Sequence, residues 1–531
     1  MRRSLLAVFV FLAGSVTTAT SAAATGRGGW EHLGAGAVAG TPSLNGTVSA
    51  LHTVGNAVYV GGRFTNAGGV ANADRIARWN GASWSALGTA SFANGSVLAI
   101  AHSGTKIYAG GNFTDAGGNK DADNLAVFDG VKWSPFCDQP THAGPAVSLP
   151  VNALQVVGNT LYVGGSFQDG AGIAAADYLL ACDLTTGTPR ATVDGGADFT
   201  GAVYALAADS NGVLYAGGTF SNLDQIPDAD FVAAYNGLWS SLGSGVTGIV
   251  RALTASGTNL YVSTDALNIG GLSNADHVAR WDGTAWSAMG ANSAGTNGWF
   301  PASTYIYSMA ATGSTVFATG SFQNANGVPT ADNVAYFDGS TWRPLGSNGA
   351  GNGAWIGDGL AVAVMRGQVY AGGGFTSAGG DPSSRFVASR SLQIPDASIG
   401  IYSGSFIGNN IFNTTGAGQT KTLDIKRGSS QYFPVLVQND GMIPASFTLE
   451  ATESTPGYSI SYIDYSSGAN VTAKLVMGTF STGVLALGQS VAIKVVVTVS
   501  KTAPAAGSFT VTARSLVGGK SDVVKGIVNA T

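Results

Sequence analysis

The sequence predicts an all-β chain: a seven-bladed β-propeller closed by an N-terminal strand, followed by an Ig-like β-sandwich. Three observations predict it. A pattern of about fifty residues recurs seven times. The last copy lacks a piece that stands instead near the start of the chain. Beyond the repeats, the texture changes to alternating apolar and polar residues.

The composition fits short strands and tight turns. Among 531 residues there are 78 glycines and 45% apolar residues, while only 10% are charged, against roughly 25% in typical globular chains. The formal net charge is -5 and no run of lysine and arginine occurs, so a basic nucleic-acid-binding face is not expected.

At the N-terminus, Arg2 and Arg3 precede the apolar run LLAVFVFLAG and the small-residue stretch TATSAAATG. A positive segment, a short apolar segment and an Ala-x-Ala site describe a signal peptide over residues 1–24. The run is too short to span a bilayer comfortably, and no membrane span is expected. The mature chain is expected to be secreted, extracellular or at the cell surface, and monomeric. In that setting Cys137 and Cys182 form either a disulfide or two buried thiols.

The repeats are anchored at Tyr59, Tyr108, Tyr162, Tyr215, Tyr261, Phe317 and Tyr370. The first reads VSALHTV, a Gly55-Asn56 turn, AVYVGGRF, the loop TNAGGVANAD, RIARW, an Asn80-Gly81 turn and SWSALG. Asn-Gly and Asp-Gly supply the positive φ angles that two-residue hairpins demand. Four antiparallel strands per unit make one propeller blade. The seventh copy has no Trp-x-x-Leu-Gly strand, but Trp30–Gly34 reads WEHLG. That strand is expected to complete the last blade and cover its edge.

The glycine pair is expected where backbone approaches closely, and the tryptophans of the outer strands fill the wedge between blades. An aspartate stands twelve residues past the second glycine position: Asp74, Asp123, Asp177, Asp230, Asp276 and Asp332. A carboxylate there suits a loop, bonding nearby backbone N–H groups. Calcium is the alternative, at Asp115, Asp121 and Asp123 or at Asp224, Asp228 and Asp230, although neither set has EF-hand spacing. No other cofactor is expected.

The glycine pair, the aromatic strand VAYFDG and the strand WRPLG resemble the kelch repeat. They are closer still to the repeats of fungal cortical polarity-marker proteins and of bacterial exported propellers. The resemblance covers residues 30–392 and implies the propeller fold, with little said about activity, since propellers host enzymes and binding modules alike. Repeat three departs in lacking the tryptophan, and repeat five in reading STDALN for the glycine pair.

Residues 393–419 read as a connector or lead-in strand. Residues 420–531, with QYFPVLVQNDG, ASFTLEA and SVAIKVVVTVS, resemble the Ig-like sandwiches appended to bacterial exported proteins and glycan-active enzymes.

Catalytic patterns are not found. GSGVTG at 243–248 has no helix to receive a phosphate, GGKS at 518–521 lacks the first P-loop glycine, and no G-x-S-x-G occurs. A propeller followed by an Ig-like domain is similar to the galactose-oxidase family, yet that family's copper set cannot be placed residue by residue. Of five histidines, His52 and His102 stand near each other in the repeat frame. Their alternation puts them on opposite faces, so no shared site is expected.

Two enlarged connectors carry aromatics: Trp299 and Phe300 before repeat six, and Trp355 with Asp358 before repeat seven. They form either a platform for a sugar ring or peptide side chain, or a plug against their own loops. The expected function is non-catalytic binding of an extracellular glycan or protein. The alternatives are a propeller oxidase or glycan-active hydrolase or lyase, and a structural or adhesive surface protein.

Overall fold

The computed structural model describes residues 29–531, except 35, 37–40, 140–143, 193–198, 222, 349, 356, 402–404 and 517–519. The expected signal peptide and His142 lie outside the described residues. Among the described residues, no helix is long and apolar enough to cross a membrane.

The repeats form seven four-stranded antiparallel sheets, a β-propeller-like repeat fold. In the first, Val48–Val54, Ala57–Gly62, Ile76–Trp79 and Trp84–Ser85 pair in chain order. The last combines Gly359–Met365, Gln368–Gly373 and Val387–Ser391 with Trp30–His32 from the start of the chain. Trp30 faces Arg390 in that antiparallel pair and His32 faces Ala388. The first strand of each sheet packs against the first strand of the next, and Gly359–Met365 packs in turn against Val48–Val54.

The glycine pair has two separate jobs. A Cβ on Gly61 would lie 2.7 Å from Val97 of the next repeat, and one on Gly164 would lie 2.6 Å from Val203. Gly372 meets Val48 in the same way across the closing seam. The second glycine admits a carbonyl of its own repeat: Gly62 faces Thr47, and Gly373 faces Asp358. Repeats five and six meet the first demand differently. Ser263 replaces the glycine and its hydroxyl donates to the Ile306 carbonyl at 2.8 Å. Thr319 replaces the glycine in repeat six, and the usual valine opposite becomes Gly359, whose Cβ would lie 2.7 Å from that of Thr319. The bulk has changed sides of the seam.

The recurrent tryptophans stitch neighbouring sheets. In repeats one, two, four and five the indole N–H donates to a backbone carbonyl at the end of the preceding repeat: Trp84 to Leu33 at 2.7 Å, Trp133 to Leu87 at 2.9 Å, Trp239 to Thr192 at 3.2 Å and Trp286 to Leu242 at 2.8 Å, whereas the Trp342 indole of repeat six packs at its seam without such a bond. Trp30 donates to Leu345 at 3.0 Å. Repeat three lacks the tryptophan, and here Cys137 and Cys182 are joined in a disulfide, Cα to Cα 5.5 Å. Cys137 takes the glycine station that ends repeat two, at φ 68, and Cys182 lies on Leu179–Asp183 of repeat three. A covalent link stands where the other seams carry an indole.

The C-terminal region is a two-sheet sandwich. One sheet orders Pro395–Ile399, Ser430–Asn439, Ser490–Val499 and Tyr458–Asp464. The other orders Thr420–Ile425, Ser521–Ala530, Ala506–Ser515, Ala445–Ala451 and Phe480–Leu485. Phe433, Phe447, Tyr462, Val495 and Phe509 fill the space between them. The sandwich therefore begins at Pro395 and not at 420: this strand pairs with Ser430–Asn439, so part of the expected connector is framework. Its loop returns to the last repeat, where the Asp440 and Met442 N–H groups donate to the carbonyls of Ile394 and Leu392. Lys520 pairs with Glu31 of the N-terminal strand.

Candidate functional site: the axial opening

Each of the seven first strands carries a bulge at one station. The register slips between Val48 and Ala50, Val97 and Ala99, Val151 and Ala153, Val203 and Ala205, Val250 and Ala252, Ile306 and Ser308, and Gly359 and Ala361. A bulge frees one residue from the ladder and re-aims its side chain. The residues so placed are Ser49, Leu98, Asn152, Tyr204, Arg251, Tyr307 and Leu360. All but Asn152 line a cavity of about 200 Å³ that draws on the first strands of all seven sheets. The repeats are alike in their framework and unlike here.

The chemistry of this opening is one-sided. Tyr204 and Tyr305 are 37% and 42% exposed, among apolar residues that are mostly buried. The Arg251 guanidinium lies 5.0 Å over the Tyr305 ring, and one terminal nitrogen is 3.5 Å from Asp265. Tyr305 and Tyr307 are nearly parallel, at 9° and 6.4 Å between centroids. Burial raises the Tyr307 hydroxyl above its ordinary pKa; the Asp358 carboxylate adds to this and Arg251 opposes it. Across the opening stand Ser49 and Leu98, and Leu360 lies on the sheet next to that of Tyr307. Tyr204, Arg251 and Tyr307 thus line the cavity itself, while Tyr305, Asp265 and Asp358 adjoin Arg251 and Tyr307 beside it.

The aromatics of the enlarged connectors lie elsewhere. Trp299, Phe300 and Trp355 are 4%, 5% and 2% exposed, so they offer no stacking platform. Phe300 packs edge-on against Phe322 and Trp342, and Trp355 stacks on Phe375 at 4.7 Å and meets Trp30 at 5.0 Å. Phe92 and Phe199 make the same contacts with Phe113 and Trp133, and with Phe220 and Trp239. All four plug a seam about 20 residues ahead of the phenylalanine they touch. That spacing was the available signal. The connectors are clamped by aspartates, since Asp276 accepts from the Gly298 N–H and Asp332 from that of Gly353. A cavity of about 470 Å³ is lined by the edges of Trp299 and Phe300 together with Asn292, Asn297, Asn324 and Asn326, among others. Asp358, by contrast, is exposed and close enough to Tyr307 to act on it.

The loop aspartates hold backbone. Asp74, Asp123, Asp177, Asp276 and Asp332 accept from the N–H of Asn66, Asp115, Asp169, Asn268 and Asn324 at 2.6–2.9 Å. Those five residues have left-handed φ, where a side chain costs energy without support. Asp115 is such a residue, and the Asp121 N–H turns to Asn119. Asp224 and Asp228 are themselves left-handed, at φ 51 and 63, and Asp230 stands at the station of Asp123. As for the calcium alternative, among the described residues no group of three or more His, Cys, Asp or Glu is arranged to hold a metal.

His52 and His102 do meet, with Nε2 and Nδ1 2.8 Å apart. Alternation places them on opposite faces of their own sheets, but adjacent sheets pack face against back, so opposite faces converge at the seam. Burial, reinforced by His102, pushes His52 down to about 4.

No protein-family model matches the chain, and no curated protein matches it. Solved structures that match do so over small parts. A family 123 glycoside hydrolase from Clostridium perfringens is 11% identical over 26% of this chain and 27% of its own, with a TM-score of 0.17. A FixG-related protein from Vibrio parahaemolyticus is 9% identical over 26% of this chain and 96% of its own, at 0.16. Domains 4 and 5 of the S-layer protein SbsC are 16% identical over 32% and 67%, at 0.14. Likeness at this level carries no argument about function.

Proposed function

We propose that the chain is a secreted, non-catalytic binding protein, a seven-bladed kelch-like propeller with an Ig-like sandwich, that engages an extracellular glycan at its axial opening. The observation that carries this reading is the ring of bulge residues. A repeat that keeps its framework constant and varies one axial station concentrates its individuality there. At about 200 Å³, the opening is smaller than the 300–1,000 Å³ of pockets that enclose a whole small ligand. It suits one ring or the end of a chain. Exposed tyrosines offer faces for a sugar ring, with Arg251, Asp265 and Asp358 in reach of hydroxyl groups.

Glycan-array binding followed by titration calorimetry tests the reading. Tyr204→Ala/Tyr305→Ala is expected to weaken binding at least tenfold, and Trp299→Ala to act on stability alone. Binding that survives the double tyrosine change, or a partner that proves to be a protein docking elsewhere, would overturn it.

A further inference from the structure

Arg251 is built into the opening with donors to spare. A guanidinium has five N–H donors in a planar fork. Its hydrogen bond among the described residues is the single contact with Asp265, at 3.5 Å the outer limit of such a bond. The Nε atom is buried and has no partner. The other terminal nitrogen has no partner among the described residues and can take an acceptor supplied from outside. The side chain is nonetheless fixed, by the bulge at its backbone and by the Tyr305 ring beneath it.

A pre-positioned guanidinium with free donors matches one ligand group best, a planar carboxylate taken by two parallel N–H bonds. Water would serve a neutral sugar as well, but would not call for an arginine stacked on tyrosine. The neighbouring carboxylates do not block this. Asp265 already engages one terminal nitrogen, and Asp358 is exposed, where solvent and salt screen it. Tyr204 is left to stack on the sugar ring.

Resting on the glycan-binding reading, we infer that the axial site takes a carboxylate-bearing saccharide, a uronate-type chain end, with Arg251 as the group that selects the acid. The test uses the full chain, tri-galacturonate, its methyl ester and neutral tri-galactose in calorimetry. The acid is expected to bind at least tenfold more tightly than either neutral probe. Arg251→Gln should abolish that preference, the acid then binding no more tightly than the neutral probes, and Arg251→Lys should restore only part of it. Equal binding of acid and ester, or an Arg251→Gln variant that keeps its preference, overturns the carboxylate inference. If neutral binding still depends on Tyr204, the axial glycan site itself survives that result. If none of the three probes binds, the uronate inference falls. The wider reading then rests on the array. Unchanged melting temperatures confirm that the variants fold.

Discussion

The indole of Trp30 donates to the carbonyl of Leu345, 315 residues away in sequence. This bond joins the N-terminal strand to repeat six, while backbone pairing joins it to repeat seven. Trp30 is fully buried and also meets Trp355. Trp30→Ala should cost about 3–5 kcal/mol through the cavity alone. Trp30→Phe, which keeps much of the packing and removes the donor, should cost about 1–2 kcal/mol. Urea unfolding of both variants separates ring from hydrogen bond.

At the seam between repeats six and seven, Thr319 and Gly359 exchange the sizes found at other seams. Gly359→Val alone overpacks and should cost about 1–3 kcal/mol. Thr319→Gly alone opens a void. Together they restore the glycine–valine pair and should couple by about 1 kcal/mol or more in a double-mutant cycle. Strict additivity would show that the two residues do not share the space.

The disulfide between Cys137 and Cys182 is expected to contribute about 2–4 kcal/mol, its ends being 45 positions apart in sequence. Because it takes the place of an indole stitch, its loss should loosen the seam between repeats two and three first. Hydrogen exchange of the Cys137→Ser/Cys182→Ser variant should show the gain in Thr160–Gly165 and Leu179–Asp183 before other sheets. Uniform loosening would contradict the stitch.

Asp396 is 2% exposed, and burial, with Asp440 and Asp522 nearby, pushes it up to about 7 although the Asn410 N–H opposes this. An unfolded aspartate titrates near 3.9. The folded chain therefore holds the extra proton between about pH 4 and pH 7, and this contribution to stability falls as pH rises through that window. Asp396→Asn should raise the melting temperature at pH 8 and flatten the decline from pH 5 to pH 8. A variant less stable than wild type at pH 8 would refute the assignment.

Much of this was legible because the repeat states it seven times. Trp-x-x-Leu-Gly at Trp30 could be recognised as displaced by comparison with its other copies, and Asn-Gly and Asp-Gly marked the hairpins. Contacts between sheets were harder. The bulges at Tyr204, Arg251 and Tyr307 exist only relative to a partner strand, so no local pattern announces them. His52 and His102 were given the right faces but not their contact, because alternation describes one sheet and the seam belongs to two. Trp299 and Trp355 stood out by size, whereas the kinship of Phe300 and Trp355 with Phe92 and Phe199 lay in position. The strand Pro395–Ile399 falls in the stretch read as a connector or lead-in strand, and its pairing was not legible because its partner begins at Ser430, beyond the reach of a hairpin signal.

The supply of the last sheet's fourth strand from the N-terminus orders events in time. A chain emerging from the ribosome or crossing a membrane presents Trp30–His32 first and Val387–Ser391 long afterwards. Until then the leading segment has nowhere to settle, and six sheets can assemble while their outermost seams stay open. Completion waits on both extremities of the array meeting, so a prematurely ended translation product cannot pass for a finished one.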